Sequence, residues 1–297
     1  MSAAVSPFAD PPDEELDRAL IVRAQCGDRD ALGEIAARHY RWIFNVALRM
    51  VHRRADAEDV THEALVKVLA GLASFRGQSA FRTWVYRVVK NHVIDRRRKT
   101  PLEEAGLGFD GVRRDLDSIP DAPPPDGTDS PVEAALLIEE AKIGCTTAML
   151  MCLDRRQRLA FVLGECLGVT DRVGGEILET SPDAFRQLLA RARRDLYRFM
   201  NDECGLVNAS NPCRCAKKTR GFIARGWVDP ENLQFVGPRL VQIRSVARDR
   251  VHELDELDRR HAEVFRDQPF ATATDEAATV RRLLDDPRAR PITAPDD

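Results

Sequence analysis

The sequence predicts an all-α protein built from two helical domains, and three observations support this. Aromatic residues supply only 6 % of the 297 residues, so the residues that favour large β-sheets are scarce. Ala, Leu, Arg and Glu dominate the composition, and all four favour helices. Apolar residues recur at three- and four-residue steps from 17 to 99 and again from 132 to 200. The chain length suits about two domains.

The composition also excludes several classes of protein. The sequence contains no run of 18 apolar residues, so no membrane-spanning helix is expected. The start of the chain, 1–20, is acidic and lacks the apolar core of a secretory signal. A cytoplasmic location is therefore expected, in which the seven cysteines stay reduced.

Composition shifts divide the chain into six predicted parts. The segment 100–131 holds six Pro and eight acidic residues against two Arg, a net charge of −6, and cannot bury enough apolar surface to fold alone. The predicted order is a disordered leader (1–15), a helical domain (16–99), a disordered acidic linker (100–131), a second helical domain (132–200), a small extension with a Cys cluster and a helix (201–270) and a flexible tail (271–297).

The helix predicted over 56–72 has two distinct faces. A complete apolar stripe forms its inner face: Ala57, Val60, Ala64, Val68 and Leu72. The opposite arc carries Asp59, His62, Glu63 and Val66, which follow one another at helical spacing. This arc is either a solvated polar face or a docking face for a protein partner, with Val66 as its apolar centre.

A basic, aromatic segment follows. Seven Lys or Arg stand against one acid between 82 and 99, and Phe81, Trp84 and Tyr86 are interleaved with them. Aromatic faces stack on unpaired bases while cations hold the nucleic-acid backbone. The segment therefore predicts a single-stranded nucleic-acid platform; the alternative is that Trp84 belongs to the core and the Arg cluster is solvated.

The second domain contains a helix-turn-helix pattern. Thr170 is a plausible N-cap for a short helix over 171–178, and Ser181 with Pro182 opens a longer helix. That longer helix has an apolar inner stripe and a basic outer face, as a helix that enters a major groove requires. A plain amphipathic helix pair is the alternative. Gly174, Gly175 and Glu179 argue against the motif, because the glycines weaken the first helix and the turn favours Gly.

The two domains in this order resemble bacterial RNA polymerase sigma factors of the extracytoplasmic-function (ECF) group. The first domain is similar to region 2 of that family and the second to region 4. The residues that carry the resemblance are Ala24, Gly27, Asp28, Asp56 to Val60, Phe75 to Gly77, Thr83 to Arg87, Asn91 and Asp95 to Arg98 in the first domain, and Gln157, Arg158, Phe161 to Leu163, Glu176 to Leu178 and Arg191 to Arg193 in the second.

The resemblance implies partners and roles. The partners are core RNA polymerase and promoter DNA, with an anti-sigma factor as a further candidate; no cofactor and no enzymatic activity are implied. The implied polymerase contacts are Asp59, His62, Glu63 and Val66. The implied contacts to the melted −10 element are Gly77, Gln78, Ser79, Arg82, Trp84, Arg87, Lys90 and Asn91. The implied contacts to the −35 element are Ser181, Asp183, Arg186, Gln187, Ala190, Arg191, Arg193 and Arg194.

Two other interpretations stay open. A helix-turn-helix DNA-binding regulator that does not engage the polymerase would need neither the α-helical docking face nor the aromatic platform. An enzyme would have to use the Cys cluster, yet the sequence shows no paired base, phosphate-binding loop or HExxH motif.

The extension is the least determined part. Cys204, Cys213 and Cys215 are metal candidates but one ligand short of a structural zinc site, so no metal is expected. The neighbouring cations Arg214, Lys217 and Lys218 would lower the thiol pKa values and permit a redox role; a small structural module is the alternative. The remaining cysteines, Cys145 among them, are expected to be small core residues. An apolar stripe over 240–266 predicts a helix that folds back onto the helical domains.

Overall fold

The computed structural model describes residues 14–94, 100–104, 106, 108–123, 131–235, 265 and 276–289. Within these residues the regular structure is helical, apart from one isolated bridge between Cys204 and Cys213, and the all-α prediction is confirmed. The α-helices are α1 (Glu14–Gln25), α2 (Arg29–Val51), α3 (Arg54–Gly71), α4 (Phe81–Ile94), α5 (Pro101–Glu104), α6 (Phe109–Asp117), α7 (Pro131–Leu150), α8 (Arg155–Phe161), α9 (Asp171–Leu178), α10 (Pro182–Glu203), α11 (Cys215–Ala224) and α12 (Glu276–Asp285).

The first domain forms around α2 and α3. Asp28 begins α2 as its N-cap, because its carboxylate accepts hydrogen bonds from the amides of Asp30 and Ala31. Helices α1 and α4 pack against this pair. The whole apolar stripe predicted for α3 is buried, so its opposite arc points away from the domain core.

The second domain contains the predicted helix-turn-helix, formed by α9 and α10. Thr170 and Ser181 cap the two helices as expected, with the Ser181 Oγ accepting from the Ala184 amide at 3.1 Å. The two glycines of α9 permit close packing. A Cβ at Gly174 would lie 2.4 Å from the Phe185 ring, and one at Gly175 would lie 3.0 Å from the Thr180 carbonyl oxygen.

Glu179 does adopt the left-handed backbone conformation that the turn was expected to need (φ 52°, ψ 50°).

The prediction of a disordered linker is wrong for 100–104 and 108–123. Helices α5 and α6 lie in this stretch, and Val112, Leu116 and Ile119 are buried. One of its acidic residues, Asp121, pairs with Lys217 and Lys218. Composition averaged over 100–131 concealed this amphipathic helix; residues 124–130 lie outside the described part.

Arg158 joins the two domains. Its side chain is fully buried and donates to the carbonyl oxygens of Met50 at 2.6 Å and Leu150 at 2.9 Å. Glu103 of α5 pairs with both Arg158 (3.1 Å) and Arg155 (2.8 Å). Burial opposes the ionisation of Glu103, but the hydrogen bond from Arg155, helped by the Thr100 amide and Arg158, lowers its pKa to about 2.

The C-terminal part also differs from expectation. Helix α11 packs against α7, whereas the helix predicted over 240–266 lies outside the described residues, apart from the buried Phe265. The prediction of a flexible tail over 271–297 is wrong for 276–289. Helix α12 and the 3-10 turn Pro287–Ala289 pack against α2 and α3, because Leu283 and Ala289 bury their side chains there.

Candidate protein and nucleic-acid interfaces

The outer face of α3, defined by Asp59, His62, Glu63 and Val66, is only partly open. Asp59 is exposed, and His62 and Glu63 are half-buried. Val66, predicted as the apolar centre of the face, is only 4 % exposed.

Residues 276–289 lie over this face. Arg288 donates two hydrogen bonds to the Glu63 carboxylate, at 3.1 and 3.3 Å. The His62 Nε2 lies 3.4 Å from the Asp286 carboxylate. Val66 follows these residues by one helical turn on the same face.

The aromatic platform predicted on α4 is not present as such. Phe81 and Tyr86 are buried, at 6 % and 1 % exposure, and serve the core. Trp84 is half-buried and packs against Phe75 and Phe81, with ring centroids 5.3 and 5.6 Å away. The period of α4 places these rings toward the core, and the cations Arg82, Arg87 and Lys90 are half-buried.

The polar −10 candidates form a continuous surface on the loop before α4 and on α4 itself. Gly77, Gln78 and Asn91 are exposed, and Gly77 has a positive φ of 69°. Arg87 donates to the Ser79 hydroxyl at 2.7 Å, which ties the helix to the loop. Arg82 is half-buried, and burial lowers its pKa.

The helix-turn-helix closes over this surface. Lys90 of α4 donates to the Glu179 carboxylate at 2.7 Å, and this hydrogen bond lowers the pKa of Glu179. A cleft of about 710 Å³ lies between the two domains. Its walls are Gln78, Ser79, Ala80, Thr83 and Arg87 on one side and Arg172, Val173, Gly175, Glu176, Glu179 and Thr180 on the other.

The outer face of α10 is open. Seven of its eight candidates are exposed: Ser181, Asp183, Arg186, Gln187, Ala190, Arg191 and Arg194. Arg193 differs, because its guanidinium donates to the buried carboxylate of Glu165 and thereby fixes α10 to the segment Val162–Cys166, which follows α8. Arg186 pairs with Asp171 at 2.9 Å and with Asp183 at 3.1 Å.

The cysteine cluster contains a member that the sequence reasoning missed. Cys145 of α7 lines one small enclosed cavity together with Cys204, Cys213 and Cys215. No local spacing signals this residue, because only the packing of α11 on α7 brings it close.

The predicted lowering of the thiol pKa values is wrong. Burial raises the pKa of Cys213 to about 11 and of Cys215 to about 12. The expected cations are held elsewhere, since Lys217 and Lys218 pair with Asp121 and Arg214 donates to backbone carbonyls.

Comparisons with known proteins agree with this architecture. Residues 35–101 match the family model described as Sigma-70 region 2. The ECF RNA polymerase sigma-E factor of Haemophilus influenzae is 30 % identical over 182 residues, which cover 60 % of this chain and 91 % of the relative. The RNA polymerase sigma factor NccH of Alcaligenes xylosoxydans xylosoxydans is 28 % identical over 62 % of this chain and 94 % of its own length.

A third match is shorter. The RNA polymerase sigma-H factor of Pseudomonas aeruginosa is 38 % identical over 92 residues, which cover 30 % of this chain and about half (48 %) of that relative. The chain belongs to the ECF RNA polymerase sigma factors, and the predicted family is confirmed. Among the described residues, no helix is both long and apolar enough to cross a membrane.

Proposed function

We propose that the chain binds core RNA polymerase through the outer face of α3 and directs it to promoters that α4 and α10 recognise. The observation that carries the proposal is the two-faced α3, which lies inside the stretch matched to Sigma-70 region 2. Its inner stripe is fully buried, so its outer residues Asp59, His62 and Glu63 are not needed for the core of the domain. The chain itself catalyses nothing in this account; it positions the polymerase on DNA.

The loop 77–79 and α4 fit a melted −10 strand. Gln78 and Asn91 offer exposed amides for unpaired base edges, while Arg87 and Lys90 offer positive charge for phosphates. The buried aromatic rings leave amides and cations as the recognition chemistry. The Lys90–Glu179 pair closes over this surface, so DNA entry requires the two domains to separate there.

The outer face of α10 fits duplex DNA at the −35 element. Ser181 and Asp183 stand at the helix N-terminus, where a recognition helix meets base edges. Arg186 and Gln187 are exposed one turn later and can each make bidentate contacts to bases. Arg191 and Arg194 lie farther along and suit phosphate contacts.

Run-off transcription tests the proposal. Purified full chain and core polymerase are incubated with DNA from a random promoter library, and the selected templates are transcribed. The variant Asp59→Arg/Glu63→Arg should lose both transcription and co-purification with core polymerase. The variant Asp117→Arg/Glu231→Arg changes the same charge at exposed positions elsewhere and should behave as the parent. Normal co-purification of the α3 variant would contradict the polymerase-docking role.

The same experiment addresses the alternative, a DNA-binding regulator without polymerase contact. Such a protein would bind selected DNA alone and would give no transcripts with core polymerase. Its DNA binding would depend on α10 and would be indifferent to the outer face of α3.

A further inference from the structure

Residues 276–289, here called the C-terminal clamp, are shaped to the surface they cover. Leu283 is fully buried and Ala289 is 3 % exposed, so the clamp has an apolar inner side. Leu284 approaches α2 at Gly33, where an added Cβ would lie 3.2 Å from the leucine Cδ1. A side chain at Gly33 would therefore crowd Leu284.

The charges of the clamp match those of the surface. Arg288 pairs with Glu63, Asp286 lies beside His62, and Asp285 pairs with Arg29 at 2.5 Å. Exposed ion pairs contribute little stability individually. Three complementary pairs around a buried leucine nevertheless fix one register of the clamp on α2 and α3.

We propose that the C-terminal clamp is a built-in competitor for the surface that docks core polymerase. The proposal rests on the function proposed above. His62 and Glu63 cannot bind the clamp and a polymerase helix at the same time, so the two occupants exclude each other. Closure of the clamp reduces the apparent affinity for polymerase in proportion to the fraction of open molecules.

Affinity for core polymerase tests the competition. The full chain is compared with a chain truncated after 275 and with Arg288→Glu, which repels Glu63. The truncation should bind core about tenfold more tightly, and Arg288→Glu should bind with intermediate affinity. Arg281→Glu makes the same charge change at an exposed clamp position and should match the parent.

Two outcomes separate this inference from the proposed function. Equal affinity of the full chain and the truncation overturns the competition. If Asp59→Arg/Glu63→Arg leaves the binding of the truncated chain intact, the docking face itself is wrong. Hydrogen exchange provides a check without polymerase: amides over 60–66 should exchange faster in the truncation, and unchanged exchange would show that the clamp does not close in solution.

A separate observation concerns the four cysteines. They come from three parts of the chain, namely α7, the end of α10 and the start of α11, and all line one enclosed cavity. The bridge between Cys204 and Cys213 brings two of the segments into backbone contact.

We propose that Cys145, Cys204, Cys213 and Cys215 form a four-thiolate Zn²⁺ site. Four sulfurs complete the tetrahedral set that three could not. Each thiol would release its proton on binding, and no oxidant or reductant is needed. The metal would fasten the small module 201–235 to α7, where a hydrophobic core alone is limited.

Binding requires the thiols to turn. Among the described residues, no three His, Cys, Asp or Glu side chains already surround one metal position. A cysteine has a single side-chain torsion with three staggered positions, and rotation about it re-aims the sulfur. The cavity shared by the four residues is the place toward which they would turn.

Metal analysis of the full chain tests this site. Protein purified under reducing conditions should carry one zinc per chain, and Co²⁺ exchanged for zinc should give thiolate charge-transfer and tetrahedral absorption bands. Cys145→Ser should reduce the metal content and change the Co²⁺ spectrum, whereas Cys26→Ser, in the first domain, should not. Because Cys145→Ser can also unfold the module, metal binding by the parent chain is the decisive measurement. A folded parent chain that binds neither Zn²⁺ nor Co²⁺ would contradict the proposed zinc site.

Discussion

The outer faces of α3 and α10 have the same amphipathic sequence pattern, but the clamp covers part of the first and the second is exposed. Each helix buries an apolar stripe and turns polar residues outward. On α3 the clamp binds Glu63 and His62, and Val66 is buried. On α10 seven of the eight candidates are exposed. The periodicity of apolar residues predicts which face of a helix points away from the core of its domain. It does not predict whether a segment distant in the sequence covers that face.

Substitutions on the open face should have the largest effect. Arg186→Ala/Gln187→Ala should lower affinity for the selected promoter by about a hundredfold, since each base contact contributes about 1–3 kcal/mol. Truncation after 275 should leave this affinity unchanged, because the clamp lies on α2 and α3. Binding titrations with duplex DNA measure both. Equal loss of affinity on a scrambled duplex would show that the two residues contact phosphates and not bases.

The second-largest effect is expected from the packing of α9 against α10, behind the open face. Gly174→Ala introduces a Cβ 2.4 Å from the Phe185 ring and should lower the free energy of unfolding by about 2 kcal/mol through overpacking. Gly108→Ala is the matched control, because nothing lies within 4 Å of its Cβ position and its φ is −96°. Urea denaturation measures both variants. A Gly174→Ala chain as stable as its parent would mean that α9 and α10 are not held this closely.

The junction between the two domains, formed by Glu103, Arg155 and Arg158, should make the free energy of unfolding depend on pH. The folded pKa of Glu103, about 2, lies below the ordinary value of 4.5. The Glu103 contribution to stability is therefore fully present above pH 4.5 and is lost as the pH falls from about 4.5 toward 2. Glu103→Gln should cost about 2 kcal/mol at pH 7 and should flatten stability against pH over that interval. If the stability of the variant depended on pH as that of the parent does, Glu103 would not stabilise the junction.

The smallest effect is expected from a substitution that displaces the clamp without altering the charges of the outer face of α3. Gly33→Phe places a large side chain where Leu284 packs and should displace the clamp while leaving Asp59, His62 and Glu63 intact. Core-polymerase affinity should rise by a few fold, toward that of the truncated chain. Combining Gly33→Phe with the truncation should give no further gain; an additional gain would show that Gly33 acts on polymerase binding by another route.

Local signals were sufficient to predict the helix-turn-helix. Thr170 and Ser181 are N-caps and Pro182 begins α10, and each acts where the sequence indicated. Helix propensity counts Gly174 and Gly175 against the motif, because it takes no account of the neighbouring Phe185 and the turn backbone. The family followed from an ordered series of motifs in both domains.

Long-range packing accounts for what the sequence did not indicate. The acidic composition averaged over 100–131 concealed the apolar residues Val112, Leu116 and Ile119, which are buried. Cys145 reaches the cysteine cluster only through the packing of α11 on α7, and the clamp reaches α3 from the opposite end of the chain. The last two contacts leave no local spacing that a single sequence can show, whereas Val112, Leu116 and Ile119 do follow helical spacing.

Photocrosslinking from position 62 tests the central claim most directly. A photoreactive residue replaces His62, and the crosslinked products are mapped in the free chain and in the complex with core polymerase. The free chain should crosslink to its own 276–289, and the complex should crosslink to a polymerase subunit instead. The same residue at position 191 on α10 should never reach the clamp. A position-62 crosslink that stays on 276–289 in the assembled complex would contradict polymerase docking on the outer face of α3.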